Sequence, residues 1–372
     1  MIAGGGIAAL ETLLALRATP RGAALDITLI APGPHLVYRP LAVLEPFGAA
    51  PRRYRLAAIC AEHGARLVAD ALAAVDGDAR VARTAGGAAI PYDALVIAVG
   101  ARPRPALPLA RTLAAAEGVA AVAEIVRDLD AGRAGSVAFV APPGAGWSLP
   151  LYELALLTAR HVARRGRGDV ALALVTAEDV PLATFAGAGS AAVARLLGEA
   201  GVETVTGAAV AGGDRGRLQL ATGRAVAAEL VVALPRLAGP ALAGVPTDAD
   251  GFVQADPYQR VPGLPDVYAV GDATTFPVKQ GGLASQQADL VASLIARTAG
   301  PDPSTRPRLR AILLTGAEPL YLQATLADGR PVASSASRQC PWWPPHKVAA
   351  RWLAPYLADR EPLAAASGGA LG

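Results

Sequence analysis

The sequence predicts an α/β chain in which short apolar strands alternate with helices and run into glycine turns. Three observations carry that reading. The chain opens on a glycine-rich loop between an apolar start and a helical run. Two later apolar stretches, at 92–100 and 266–271, also end in Gly. The middle of the chain, from Gly135 to Ala200, follows a strand–helix–strand–helix order. At roughly 100–200 residues per domain this length suggests two or three domains, since the chain has 372 residues.

Composition excludes several classes. Hydrophobic residues make up 53% and charged residues 17%, with a mean hydropathy of +0.36, so the chain as a whole is not disordered. The uncharged stretch from Ala134 to Tyr152 is no membrane span, because Pro142, Pro143, Gly144, Gly146 and Pro150 interrupt it. The net charge of +3 is spread along the chain, and no basic block offers a nucleic-acid footprint. Of 34 basic residues, all but Lys279 and Lys347 are Arg. Cys60 and Cys340 form no CxxC and no zinc spacing, which suits a reducing compartment. His35, His63, His161 and His346 lack metal-ligand spacing, so no metal is expected. Glu11 breaks the opening apolar run and no Lys or Arg precedes it. The expected location is therefore cytoplasmic.

The first element is the run Met1-Ile2-Ala3-Gly4-Gly5-Gly6-Ile7-Ala8-Ala9. Gly4, Gly6 and Ala9 fill the small positions of G-x-G-x-x-G/A. The first allows a tight turn, the second admits a pyrophosphate to the backbone, and the third lets helix and strand approach. The helix from about Ala8 to Leu16 aims free N–H groups at phosphate. A chance glycine turn is the competing explanation in a chain with 40 Gly. Asp26 to Ile30 is the second strand. An acidic residue that would hold the adenosine ribose is replaced there by Ala31, then Pro32 and Gly33. Only three residues precede Gly4, whereas a buried strand usually has about five or six. A short apolar extension before Met1 is therefore expected in the full-length product.

Tyr92 to Arg102 reads as an apolar strand running into a turn at Gly100. Asp266 to Ala273 is another, ending in Gly271-Asp272. Lys279 to Gln287 is a loop that leads into a helix reaching about Ala296. Glycine loop, Tyr-Asp-x-Leu-Val-Ile-Ala-x-Gly and Gly-Asp-Ala, in this order, resemble the FAD-dependent pyridine nucleotide–disulfide oxidoreductase superfamily. The likeness is strongest to its sulfide:quinone reductase and type II NADH dehydrogenase branch and covers most of residues 1–300.

The resemblance implies two nested Rossmann-like three-layer dinucleotide-binding domains plus a short C-terminal segment. Residues 1–105 and 250–300 would form a discontinuous FAD domain, 106–249 an inserted NAD(P)-binding-like domain, and 301–372 a C-terminal interface or flavin-capping segment. It places FAD on Gly4, Gly5, Gly6, Ala8 and Ala9, with Gly100 and Gly271 beside it. Asp272 would serve the ribityl end, although a helix N-cap is an equal reading of that residue. Arg39 would hold the pyrophosphate or form a surface pair. Gly281, Gly282 and Leu283 would border the flavin pyrimidine. Lys279 and Gln280 are the candidate catalytic residues, Lys279 to stabilise negative charge on the reduced ring.

The inserted domain departs from the family pattern. Its first strand is Gly135 to Ala141, its first helix runs to about Arg164, and Asp169 to Val175 is the next strand. Gly144 and Gly146 are the candidate loop glycines, with Glu153 just beyond. Leu151 stands at the third small position and Pro150 removes a donor, so NAD(P)H is a doubtful ligand. Glu178 is either a ribose ligand or a solvated loop charge. Aligned with sulfide:quinone reductases, Trp147 occupies the place of a redox cysteine, which excludes thiol chemistry there. Cys60 reads as a packed thiol. Cys340 stays open between a structural and a redox role.

The C-terminal segment holds three of the four tryptophans, Trp342, Trp343 and Trp352, near Tyr356, Lys347 and Arg351. Two readings stand for this cluster. It lies peripherally on the inner face of the membrane and admits quinone, or it clamps the flavin or forms a homodimer contact. Beyond Arg360 the Ala/Gly/Ser-rich tail is expected to fray. The expected activity passes electrons from a reduced donor, NAD(P)H among them, through FAD to a quinone or other small acceptor. A flavin-binding protein without turnover is the alternative.

Overall fold

The computed structural model describes residues 1–360 apart from Arg215 and Pro303. The tail expected to fray lies outside the described residues. The chain starts with β1 (Ile2–Ala3), α1 (Ile7–Arg17), β2 (Ile27–Ile30), β3 (Ala65–Val68) and β4 (Leu95–Ile97). It then builds β5 (Arg111–Thr112), α2 (Ala115–Asp130), β6 (Ser136–Ala141), α3 (Leu149–Arg164), β7 (Ala171–Thr176), α4 (Ala188–Glu199), β8 (Val202–Val205) and β9 (Leu230–Ala233). It returns through β10 (Val267–Ala269) and α5 (Gly281–Ala296).

Two parallel sheets result. The first has the order β10-β4-β1-β2-β3, so the strand after the insertion pairs with the last strand before it. The second has the order β5-β9-β6-β7-β8. These are nested Rossmann-like layers. β6 is buried at every residue, as expected for a parallel strand covered on both faces. α1 is apolar nearly all round and buried from Ala8 to Leu16, because it lies between the first sheet and α5.

The end of the chain holds more structure than a short interface segment. β11 (Arg308–Leu313), β12 (Leu320–Ala327) and β13 (Arg330–Ser337) form an antiparallel meander. The β12–β13 turn is Asp328-Gly329, with φ of 49° and 74°, the conformation of a two-residue hairpin turn. Leu309, Leu313 and Leu322 enter one core with Leu154, Leu157 and Phe185.

A last helix, α6 (Leu353–Ala358), joins α1 and α5 in the other core. Glu11 of α1 is 0% exposed. Its carboxylate accepts from the N–H groups of Arg351 (2.8 Å), Trp352 (3.0 Å) and Leu353 (2.6 Å). Asp289 of α5 lies beside it. Burial and the Glu11 charge push the Asp289 carboxyl up to about 8, against the pull of Arg351.

Candidate functional site

The loop between β1 and α1 bends sharply at Gly4, whose φ of +129° disfavours any side chain. A Cβ on Gly4 would also overlap the Ala98 carbonyl. A Cβ on Gly6 would meet nothing within 4 Å. Gly6 is the N-cap of α1 and supplies no side chain, so the first N–H groups of the helix are free for an anion. These groups open onto a cavity of about 600 Å³, within the size range of ligand sites.

The cavity runs from Gly4, Gly5, Gly6 and Ala8 past Arg39 and Gly100 to Gly271, Asp272, Lys279, Gln280 and Gly281. Thus most of the predicted cofactor residues are brought to one hollow. Ala9, Gly282 and Leu283 are not on its wall. Ala9 sits fully buried beneath the loop, where small size serves packing. Near β2 the wall is Ala31, Pro32 and Gly33, with no carboxylate.

The charged part of the lining starts beside the glycine loop, where Gly271 approaches Ala8. Burial raises the Asp272 carboxyl, and Lys279 and Arg39 pull it back. The Lys279 ammonium donates to the Thr274 carbonyl and lies 3.9 Å from the centre of the Phe252 ring. Burial lowers it to about 8, opposed by Asp272 and Asp248. Gln280 uses its amide structurally. Its Oε1 accepts from Leu283 N–H (2.9 Å), and its Nε2 donates to the Arg310 carbonyl (3.1 Å). That amide caps α5 and fastens it to the meander.

Glu153 and Lys347 meet on the same wall, 194 residues apart in sequence. The Lys347 ammonium donates to Glu153 Oε1 and to the Ile312 carbonyl (2.6 Å). Leu314 N–H donates to the same carboxylate oxygen (2.8 Å). Burial pushes the acid up and the amine down, and each partner's charge opposes the other's shift. Residues 346–353 form a strap that carries Lys347 and is held by Tyr38 and Glu11. The Tyr38 hydroxyl accepts from Val348 N–H (3.0 Å) and is hydrogen-bonded with His346 Nδ1 (2.8 Å). The sequence reading assigned Glu153 to a second nucleotide site and Lys347 to a C-terminal cluster that lies on a membrane, clamps the flavin or forms a dimer contact. The structure unites them in the cavity. Both lysines of this Arg-rich chain are therefore buried and line this cavity.

Trp147 lines the cavity, as do Leu149, Pro150 and Ala311. Its ring meets Phe185 edge-on at 6.0 Å. Neither cysteine lines the cavity, and both are free thiols. Gly144, Gly146 and Glu178 lie off its wall. Glu178 is not a solvated loop charge, since both its oxygens are hydrogen-bonded within the chain. Of the tryptophans, Trp343 is 89% exposed, while Trp342 packs on Tyr321. No helix among the described residues is long and apolar enough to cross a membrane.

The residues present fit FAD. The glycine cradle and open helix end suit a pyrophosphate, and two buried ammonium groups belong to lysines that line the same hollow. A model of the pyridine nucleotide-disulphide oxidoreductase family matches residues 1–288. No curated protein matches the chain. Among solved structures, the sulfide:quinone oxidoreductase of the hyperthermophilic bacterium Aquifex aeolicus is similar, at 22% identity and a TM-score of 0.80, over 91% of this chain and 86% of that one. Putidaredoxin reductase in covalent complex with putidaredoxin has 22% identity and a TM-score of 0.63, over 87% and 80%. A NAD-dependent persulfide reductase from A. fulgidus has 19% identity and a TM-score of 0.64, over 87% and 64%. At these identities the likeness is one of fold.

Proposed function

Because the chain belongs to the pyridine nucleotide-disulphide oxidoreductase family, and so is a flavin-dependent oxidoreductase with FAD as its cofactor, we propose that it delivers electrons to a small acceptor of quinone type. The observation that carries this reading is the burial of Lys279 and Lys347 on the cavity wall. A buried ammonium stabilises negative charge formed beside it far better than one in water. An Arg could not match its compact charge or its adjustable proton affinity.

In this reading Gly4, Gly5, Gly6 and the start of α1 would hold the pyrophosphate, with Arg39 supplying a positive charge to it. Asp272 accepts from the ribityl hydroxyls. FAD, when bound, supplies two-electron redox chemistry that no side chain here can provide. The protein's own part is electrostatic. Lys279, its ammonium held at the Thr274 carbonyl, would supply positive charge to the bound ring. The Glu153–Lys347 pair holds a proton between Oε1 and Nζ, where an acceptor taking electrons would need it. Trp147 and its apolar neighbours exclude water and offer a flat surface to a ring. With Trp147 in place of a thiol, sulfide oxidation through a cysteine is not proposed.

The test is spectroscopic. The purified protein is reduced anaerobically with dithionite and mixed with a soluble ubiquinone analogue. Return of the flavin band faster than for free reduced FAD supports the reading. A preparation that binds no flavin, or whose flavin the quinone reoxidises no faster than free FAD, refutes it. The second outcome would favour a flavin-binding protein without turnover, to which Trp147 also points.

A further inference from the structure

The family fold implies a nicotinamide dinucleotide on the second domain. We infer that this cleft is filled by the chain's own side chains and takes no NAD(P)H, with Glu178 acting as a positioning residue for the loop that carries Trp147. In such a fold the pyrophosphate sits at the first strand–helix turn, and a carboxylate beyond the second strand accepts from the ribose. Here that carboxylate is already saturated. Glu178 Oε1 accepts from Ser148 Oγ (3.0 Å) and Ala183 N–H (3.0 Å). Oε2 accepts from Tyr152 Oη (2.7 Å) and Thr176 Oγ1 (3.0 Å). A carboxylate has about four acceptor sites, and all four donors come from this chain.

The loop itself is committed elsewhere. A Cβ on Gly146 would stand 2.6 Å from Lys279 Cγ. Its carbonyl accepts from Lys279 N–H (3.0 Å). The missing side chain thus serves the approach of Lys279, not of a phosphate. Leu151 is 0% exposed at the position that needs a small residue. Pro150 removes an N–H from the first turn of α3. The residues present do not fit the dinucleotide. They instead pin Ser148, and with it Trp147, to the end of β7. The part concerning Trp147 rests on the flavin cavity proposed above; the closing of the cleft does not.

The flavin-loaded protein is titrated with NAD+, NADH and NADPH by calorimetry, and anaerobically by absorbance. The expected result is no saturable heat up to about 1 mM, where a working site would be filled, and no loss of the flavin band. Dithionite bleaches the same sample. Glu178→Ala is expected to lower the melting temperature by several degrees and to change the near-ultraviolet dichroism of Trp147, without nucleotide. Ser148→Ala, a milder change, should shift both in the same direction and remains informative if Glu178→Ala does not fold. Saturable binding, or bleaching by NADH or NADPH, overturns the closed cleft. Unchanged melting and dichroism in both variants overturn the positioning role. Neither result bears on whether quinone reoxidises the reduced protein.

Discussion

Replacing Lys347 with Met keeps most of the side-chain volume and removes the charge. The ammonium now makes hydrogen bonds to Glu153 and Ile312. Without it, Glu153, 1% exposed, retains only Leu314 N–H. Breaking one side of a buried pair costs about 3–5 kcal/mol. The entropy of unfolding is about 2.1 cal/mol/K per residue, so for a chain of this length that corresponds to a melting shift of about 4–6 °C. Thermal melting followed by circular dichroism measures it directly. The double variant Lys347→Met/Glu153→Gln should recover most of the loss, because a neutral amide still accepts from Leu314 and leaves no stranded charge. If the single variant melts within about 1 °C of the parent, or the double variant is no better, the pair is not the interaction described here. The same single variant should also slow quinone reoxidation, since the cavity then lacks one of its two lysines.

Four further outcomes are expected. Asp289 titrates near 8 in the fold against about 3.9 unfolded, so the native state keeps a proton that the unfolded chain releases. Its contribution is full below the unfolded value and is lost as pH rises through about 8. Melting temperatures measured across that window should fall with pH, and Asp289→Asn should flatten the slope. Gly4→Ala should destabilise the fold, through its positive φ and the Ala98 carbonyl. Gly6→Ala should leave the melting of the flavin-free protein nearly unchanged yet lower the flavin content of purified protein. Quinone reoxidation should decline above about pH 8 as Lys279 loses its proton, and Lys279→Met should remove that decline while lowering the rate at neutral pH.

Local order was the legible part of the sequence. The helices at Leu149–Arg164 and Gly281–Ala296 end where they were expected, because apolar runs there are bounded by loop residues with clear turn chemistry. The glycine loop was legible because only small residues survive the approach of Ala98. The β12–β13 hairpin was readable but passed over. Leu320, Leu322, Ala324 and Leu326 alternate strictly with half-buried neighbours and lead into Asp328-Gly329. The Glu153–Lys347 pair needs a long-range meeting that no local pattern encodes. Its one signal was compositional: in a chain that writes nearly every cation as Arg, a retained Lys marks a site where the guanidinium does not fit. The inward turn of Glu178 depends on Leu182 adopting a left-handed φ of 53°, so that its N–H reaches Tyr152. Nothing in a Leu announces that.

The strap held by Tyr38 and Glu11 sets a timetable for biosynthesis. The hollow is lined both by residues 4–6 and by Lys347 and Val348. A ribosome must therefore release nearly the whole chain before the hollow exists, and flavin loading follows translation. The first sheet also waits, because β10 joins β4 only after the inserted domain has been made. A message truncated ahead of codon 347 would yield a polypeptide able to form its glycine loop, but with an open trough where the flavin should be enclosed. Such a product would be colourless, exposed along α1 and α5, and a natural substrate for proteolytic clearance.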